Sequence, residues 1–307
     1  MSTRFPVDVG LPDRLSDPAR AWLADQIRSR VVGADPGGKG EQIFATPGPR
    51  LFAPDAPIRR VHSDASMFVG GLRALLLQSL HPLAIAGVAQ HSDFRVDPWG
   101  RLQRTADFLA TTTFGAIDQA DQAIAVVKRV HERVVGTAAD GRPYAANDPH
   151  LLHWVHLAET DSFLAAYQRY GSTRLTRAEA DSYVRDAAVI ASKLGVVDPP
   201  LDVVTLRAHL SEFRPELHGT RQAREAARFL LIEPPLPPAA RPAYLALAAS
   251  AVALLPVWTR WPLRLPFLPV SEKLVVGPAG ALVTGVIRWS MRRPGDVPSR
   301  VTSPTVR

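Results

Sequence analysis

Residues 148–171 read DPHLLHWVHLAETDSFLAAYQRYG, and this stretch carries the clearest signals for the fold. Asp148 suits the N-cap of a helix because its carboxylate can accept hydrogen bonds from free backbone N–H groups, and Pro149 fits the first helical position. The stretch therefore predicts a long helix over 148–170. Thr176 and Glu179 have the spacing of a capping box and predict a second helix over 176–194.

Helical patterns continue on both sides of this stretch. They lie at about 101–114, 117–135, 203–214 and 220–232. Gly136 is expected to cap the second of these, and an apolar run from Met67 ends at His81 because Pro82 disfavours a helical residue before it. Alternating strand-like runs are nearly missing, although a short hairpin near 140–145 stays open. The fold class is therefore predicted as all-α, in a single multi-helix domain.

The organisation along the chain follows from where Pro and Gly are concentrated. Residues 1–60 are rich in both and are expected to form an N-terminal arm with one helix, around 17–32. Residues 60–293 form the predicted helical domain. The basic tail over 294–307 is expected to be disordered.

Composition excludes several classes of protein. The chain has 307 residues, of which 46% are hydrophobic and 21% charged, so it is neither disordered nor fibrous. Cysteine is absent, which excludes disulfides, thiol nucleophiles and thiolate metal sites. The net charge of +7 comes from scattered arginines, and without a basic cluster we expect no nucleic-acid partner. The motifs GxGxxG, GxxxxGK[ST], GxSxG and HExxH are also missing.

The C-terminal third is unusually apolar. Residues 242–259 contain no charge, but the segment is rich in alanine, so we expect a buried helix rather than a membrane span. The following stretch WTRWPLRLPFLP combines Trp, Arg and Leu, which is typical of contact with a membrane surface. The N-terminus lacks the apolar core of a signal peptide. The expected location is therefore the cytoplasm, with peripheral membrane association.

Histidine 131 stands on a helical stripe of apolar residues. Ala120, Ile124, Val127 and Val134 recur three or four residues apart, and His131 falls on the same face. Its ring should point into the core. A core histidine bonded to a backbone carbonyl would show the same pattern, so periodicity alone leaves a ligand role open.

Arg101, Arg104 and Thr105 share one helical face, since their spacing is i, i+3, i+4. Apolar Leu102 and Leu109 lie beside them. Two guanidinium groups next to core positions suit a clamp for carboxylates, such as haem propionates or an acidic substrate. A solvated basic face is the alternative.

The helix over 148–170 presents His150, His153, His156 and Glu159 at successive steps of three residues. Neighbouring members of this series could bind one metal ion. All four cannot do so, because a three-residue step drifts around a helix of 3.6 residues per turn. His156 lies on the apolar side and is expected to point inward, with His150 and His153 partly exposed.

The succession of motifs resembles a known family. LLLQSLHPLAIAGVAQHSDF, RLQRT, VKRVHERVVG, YAANDPHLLHWVH and TRAEADSYVRDAAVIASKLGV occur in this order. Over about residues 60–260 they resemble the bacterial branch of the MpaB/rubber oxygenase catalytic-domain family, formerly a domain of unknown function. The resemblance implies an all-helical domain with a globin-like core that binds one b-type haem.

The resemblance also suggests roles for individual residues. It implies that His131, in Lys128-x-x-His131-x-x-Val134, is the axial iron ligand, with Lys128 where rubber-cleaving members have arginine. Arg101 and Thr105 match residues near the haem and are candidate catalytic residues. Arg104, Lys128 and His156 are further candidates for contacting the cofactor. The acidic base proposed for the rubber-cleaving members has no confident match.

The sequence therefore predicts a haem b-dependent oxygenase that uses dioxygen on a hydrophobic or lipid-like substrate. Two alternatives remain open. In one, the chain is a non-catalytic protein that binds a hydrophobic ligand. In the other, it is a non-haem iron enzyme of the 150–159 helix, with His153, His156, Glu159 and a carboxylate such as Asp64 as ligands.

Overall fold

The computed structural model describes residues 36–92 and 97–291, together with 20–22, 24, 25 and 27. It is mostly helical, which confirms the all-α prediction. The helices are α1 (Pro36–Ala45), α2 (Pro57–His62), α3 (Met67–Gln78), α4 (Pro82–His91), α5 (Pro98–Phe114), α6 (Ile117–His131), α7 (Pro149–Tyr170), α8 (Arg177–Leu194), α9 (Val203–Glu212), α10 (Arg221–Ile232), α11 (Arg241–Leu254), α12 (Val257–Leu263) and α13 (Pro269–Met291). Short 3₁₀ turns lie at Arg214–Glu216 and Pro238–Ala240.

The helix starts follow from local sequence chemistry. Pro149 is the first residue of α7, and the Asp148 carboxylate accepts from the His150 N–H at 2.8 Å, as predicted. Thr176 and Glu179 form the expected capping box of α8. These contacts satisfy N–H groups that have no partner within the helix.

The long helix α7 packs antiparallel against α3 at the centre of the fold. The two backbones approach closely at Gly70, where an added Cβ would lie 2.8 Å from Phe163 Cδ1. One turn further along α3, the buried Arg73 forms an ion pair with Asp161 at 2.6 Å. Close packing and a paired buried charge thus fix the register of α3 against α7.

The main hydrophobic core lies around this pair. Its fully buried side chains include Leu76, Leu77, Trp154, Leu157 and Tyr183. A second cluster joins the other ends of α3 and α7 to α11 and α13, and it includes Val69, Ala166 and Ile287. The bundle therefore has its rigid centre at α3 and α7.

The region after α6 differs from the prediction. Helix α6 ends at His131 instead of 135, and Gly136 is not its cap. Instead Gly136 pairs with Tyr144 in a hairpin of β1 (Val135–Thr137) and β2 (Pro143–Ala145). An added Cβ at Gly136 would lie 2.5 Å from the Tyr144 hydroxyl, so this glycine permits close packing within the hairpin. The hairpin near 140–145 that the sequence left open is therefore present.

The two ends of the chain are only partly described. Residues 20–22, 24, 25 and 27 are helical, within the helix expected around 17–32. Helix α1 was not predicted, because GGKGEQIFA carries three glycines that disfavour a helix. The tail over 294–307 lies outside the described residues.

The C-terminal third contains an apolar surface. Helix α11 is buried along one face, as expected, and the chain bends by 118° between Pro238–Leu254 and α12. By its length and composition, helix α13 could cross a membrane. Only 22% of its most apolar stretch of 18 residues is buried. If the bent pairs are counted as broken spans, the described residues hold up to three such segments.

Candidate functional site

Helices α5 and α6 form a hairpin that brings two of the predicted site residues to one end. Two residues connect the helices, which pack along each other, so the start of α5 and the end of α6 are adjacent. Arg101 and His131 each lie about 20 Å from the connection, at a rise of 1.5 Å per residue. They therefore stand at similar heights at the open end of the hairpin.

Arg101 is half-buried near the start of α5. Burial lowers the pKa of Arg101, and the positive charge of Arg104 lowers it further. Among the residues that the structure describes, its guanidinium has no hydrogen-bond or ion-pair partner. A desolvated charge is unfavourable unless it is paired, so this side chain needs an anion that the described protein does not supply.

The other members of the basic triplet point to solvent. Arg104 is exposed and forms an ion pair with Asp97 at 3.4 Å. Thr105 is exposed as well, and its hydroxyl donates to the Arg101 carbonyl oxygen at 3.1 Å within the helix. Lys128 is also exposed. Of the cationic candidates, Arg101 is the one that the fold partly removes from water.

His131 is the last residue of α6 and is half-buried, on the same face as the buried Ala120 and Ile124. Burial lowers the pKa of His131 below its usual value of 6.5, so the ring is neutral at pH 7. Its nitrogens have no hydrogen-bond partner among the described residues. A neutral imidazole with a free nitrogen is the form that binds a metal ion.

His156 and Glu159 share a face of α7 and are strongly desolvated. Burial lowers the pKa of His156 to about 3, and the neighbouring His153 adds a smaller effect. Its Nδ1 contacts the Thr160 hydroxyl at 3.3 Å, and its buried Nε2 has no partner in the described part of the chain. Burial raises the pKa of Glu159, although the Gln78 amide donates to it at 3.1 Å. Both side chains thus place polar groups in apolar surroundings.

Sequence reasoning missed His62, which lies at the end of the short helix α2. Its Nδ1 shares a hydrogen bond of 2.8 Å with the Thr113 hydroxyl, and its ring packs edge-on against Phe163 and Tyr183. Burial lowers the pKa of His62 to about 4, and no described residue bonds to its Nε2. No local pattern in PIRRVH signals this position, because the contacts come from three distant helices.

The ligand set of the non-haem alternative is not assembled. His153 contacts His209 at 3.2 Å, Glu159 accepts from Gln78, and Asp64 pairs with Arg288 at 2.9 Å. Within the described ranges, one group of three His or acidic side chains has its ligand atoms within 4.8 Å of one another. These residues are His81, His150 and Glu216.

The chain matches the family model of the ER-bound oxygenase mpaB/B'/Rubber oxygenase catalytic domain over residues 59–289. It belongs to this family. The match confirms the resemblance inferred from the motifs, and the matched range contains α5, α6 and α7. The chain is thus an oxygenase catalytic domain by family. No curated protein and no solved structure matches it significantly.

Proposed function

We propose that this protein is an oxygenase that binds one haem b and uses dioxygen to oxidise a hydrophobic, lipid-like substrate. Family membership supports oxygenase chemistry. The observation that carries the haem proposal is that the desolvated Arg101 lies at the same end of the α5–α6 hairpin as the neutral His131. Neither the guanidinium nor the imidazole has a hydrogen-bond partner among the described residues. A cation for a carboxylate and a nitrogen for iron are the two contacts that a propionate-bearing haem requires.

The residues fit the group, and each has a specific task. His131 would ligate the iron through a ring nitrogen, and Arg101 would pair with a haem propionate, within a haem core of globin type. Haem iron, when bound, supplies the activation of dioxygen. The buried His156, whose Nε2 has no partner among the described residues, would be a further contact of the cofactor. Arg104, Thr105 and Lys128 would act at the solvent edge of the cofactor.

Haem titration of purified chain tests the proposal. We expect one equivalent of haem b to give a Soret band in the wild-type protein. His131→Ala should lose this band while its circular dichroism remains helical, and added imidazole should restore it by replacing the missing ligand. Arg129→Ala is the matched control, because Arg129 is an exposed cation on the same helix.

The same spectra separate the alternatives. A normal haem spectrum in His131→Ala would refute the ligand assignment. Wild-type protein that binds no haem but retains iron would favour the non-haem enzyme. Protein that binds neither, and still takes up a hydrophobic ligand, would favour the non-catalytic binding protein.

We further propose that the exposed apolar surface of α12, of the start of α13 and of the segment between them contacts a membrane. Trp261 is 89% exposed, and Phe267, Leu268, Val270 and Leu274 follow it with more than half of their surface exposed. Neighbouring exposed apolar side chains of this kind mark sites of contact with a membrane or another protein. Contact with a membrane would bring the protein close to a lipid-like substrate. Wild-type protein should therefore co-sediment with phospholipid vesicles.

A paired substitution tests the membrane contact. Trp261→Ser combined with Phe267→Ser should reduce vesicle binding by more than tenfold. Val204→Ser is the matched control, since Val204 is an apolar residue that is 63% exposed on α9. Equal binding by the double variant and the control would refute this contact.

A further inference from the structure

Three side chains from distant parts of the sequence converge at the start of α7. His81 lies between α3 and α4, His150 is the second residue of α7, and Glu216 ends the 3₁₀ turn after α9. His150 Nε2 lies 2.9 Å from one Glu216 carboxylate oxygen and 3.0 Å from the other. His81 Nε2 lies 3.4 Å from the nearer oxygen. Two imidazole nitrogens and a carboxylate thus face one point.

Neighbouring groups hold these side chains in place. The His150 ring stacks on Phe213 with 4.5 Å between ring centroids. The backbone N–H of His218 donates to the Leu80 carbonyl oxygen at 2.7 Å. This hydrogen bond holds the segment that carries Glu216 beside His81. The side chains of His150 and Glu216 are partly exposed, but the ring stack and the backbone hydrogen bond restrict where they can lie.

His81 supplies an independent sign that a partner is missing. The residue is only 1% exposed, and its buried Nε2 makes no hydrogen bond with the residues that the structure describes, although it lies 3.4 Å from Glu216. Buried polar atoms in folded proteins are nearly always bonded. A ligand placed between the two histidines and the carboxylate would satisfy this nitrogen.

We propose that His81, His150 and Glu216 bind one divalent transition-metal ion, and that Zn²⁺ is the ion that suits this donor set. Zinc accepts imidazole nitrogens and carboxylate oxygens at about 2.0–2.2 Å, so two donors in a tetrahedral site lie about 3.3 Å apart. The two histidine–glutamate distances of 2.9 and 3.4 Å are close to that spacing, and all three ligand atoms lie within 4.8 Å of one another. The fourth position remains for water.

Ligation has one local cost. Nδ1 of His81 accepts from the Leu83 N–H at 3.3 Å, and binding a metal through Nε2 would move the ring proton to Nδ1. This contact is at the long end of hydrogen-bond distances, so the interaction given up is weak. The site does not involve Arg101 or His131, and it does not depend on haem binding.

The test uses the full chain without a polyhistidine tag, stripped of metal by a chelator. Isothermal titration with Zn²⁺ should show one site, and Co²⁺ should give the visible absorption of a tetrahedral site. Glu216→Gln and His150→Ala should each weaken Zn²⁺ binding at least about 100-fold, because changes to outer-shell partners alone weaken metal sites 10- to 100-fold. Added Zn²⁺ should also raise the Tm of the wild-type chain, since it binds the folded state.

His209→Ala is the matched control, because it removes a histidine from the separate His153–His209 contact of 3.2 Å. It should leave Zn²⁺ affinity unchanged. Binding lost in His209→Ala and kept in Glu216→Gln would place the ion at the other pair and overturn the proposal. Wild-type binding weaker than millimolar would also overturn it and leave the cluster as a hydrogen-bonded network.

Discussion

Replacing Arg101 with methionine should change stability and haem affinity in opposite directions. Without haem, the guanidinium is partly removed from water and has no anion partner among the described residues, and burial lowers its pKa. Methionine keeps much of the side-chain length while removing the charge. The haem-free variant should therefore be more stable than the wild type, whereas its haem-bound state should lose a favourable contact.

The two magnitudes follow from the half-buried position of Arg101. Removing a partly desolvated, unpaired charge should raise the free energy of unfolding by about 1–2 kcal/mol, which is less than the 3–5 kcal/mol associated with fully buried charges. A charge-assisted hydrogen bond to a propionate contributes about 1.5–3 kcal/mol. At about 1.4 kcal/mol per tenfold change, haem affinity should fall roughly 10- to 150-fold.

Thermal unfolding of haem-free protein and Soret titration measure the two effects. Arg129→Met is the control, because it removes an exposed charge from α6 and should leave both quantities nearly unchanged. If Arg101→Met is less stable than the wild type without haem, its guanidinium has a favourable partner in the free protein. If Arg101→Met and Arg129→Met bind haem equally well, the propionate clamp is wrong.

Three further predictions concern packing, pH and capping. Gly70→Ala should destabilise the protein by about 1–3 kcal/mol, because the added methyl group would meet Phe163. At Gly71 an added methyl group would have nothing within 4 Å, so Gly71→Ala should stabilise the protein by up to about 1 kcal/mol. Equal changes in the denaturant midpoint of the two variants would contradict this. His62 has its pKa lowered to about 4, so the unfolded state takes up a proton first, and stability should fall as pH drops from 6.5 to about 4. The same pH series on His62→Gln should show a shallower fall, and an identical slope would refute this cause. Thr176→Ala should lower the free energy of unfolding by about 1 kcal/mol, because it removes the side-chain cap of α8. Urea unfolding measures this difference, and an unchanged value would show that the cap does not stabilise the fold.

Local sequence chemistry predicted much of the helical framework. The caps at Asp148 and Thr176 need only residues within the same turn, so their signals are complete in the sequence. The end of α6 was misplaced because Gly136 has the composition of a helix cap. Its partner Tyr144 comes from β2, and pairing between strands overrides the local preference.

The candidate site was predictable where a single helix face carries the signal. The inward position of His131 followed from the spacing of Ala120 and Ile124, and the structure places all three on one face. The division of the basic triplet did not follow, because it depends on Asp97 drawing Arg104 toward solvent. Periodicity gave these residues a common face but not their different degrees of exposure.

The cluster of His81, His150 and Glu216 could not be predicted from the spacing of residues in the sequence. His81 was visible only as the residue at which an apolar helix stops, and Glu216 lies in a short turn without periodicity. Their meeting depends on how α9 and its following turn pack against the start of α7. Contacts of this kind arise from tertiary structure, which spacing along one helix does not encode.

The buried polar atoms without partners show a common chemical character. In the described part of the chain there are five such side-chain atoms, and three are the Nε2 atoms of His62, His81 and His156. A neutral histidine nitrogen is satisfied by water, by a protein group or by a metal ion, and leaving it unpaired costs about 1–3 kcal/mol. A fold that keeps several such nitrogens gives up stability that a ligand of the folded state can restore. The stability of this oxygenase domain should therefore depend on what its histidines bind, and the haem and zinc titrations measure that dependence at separate sites.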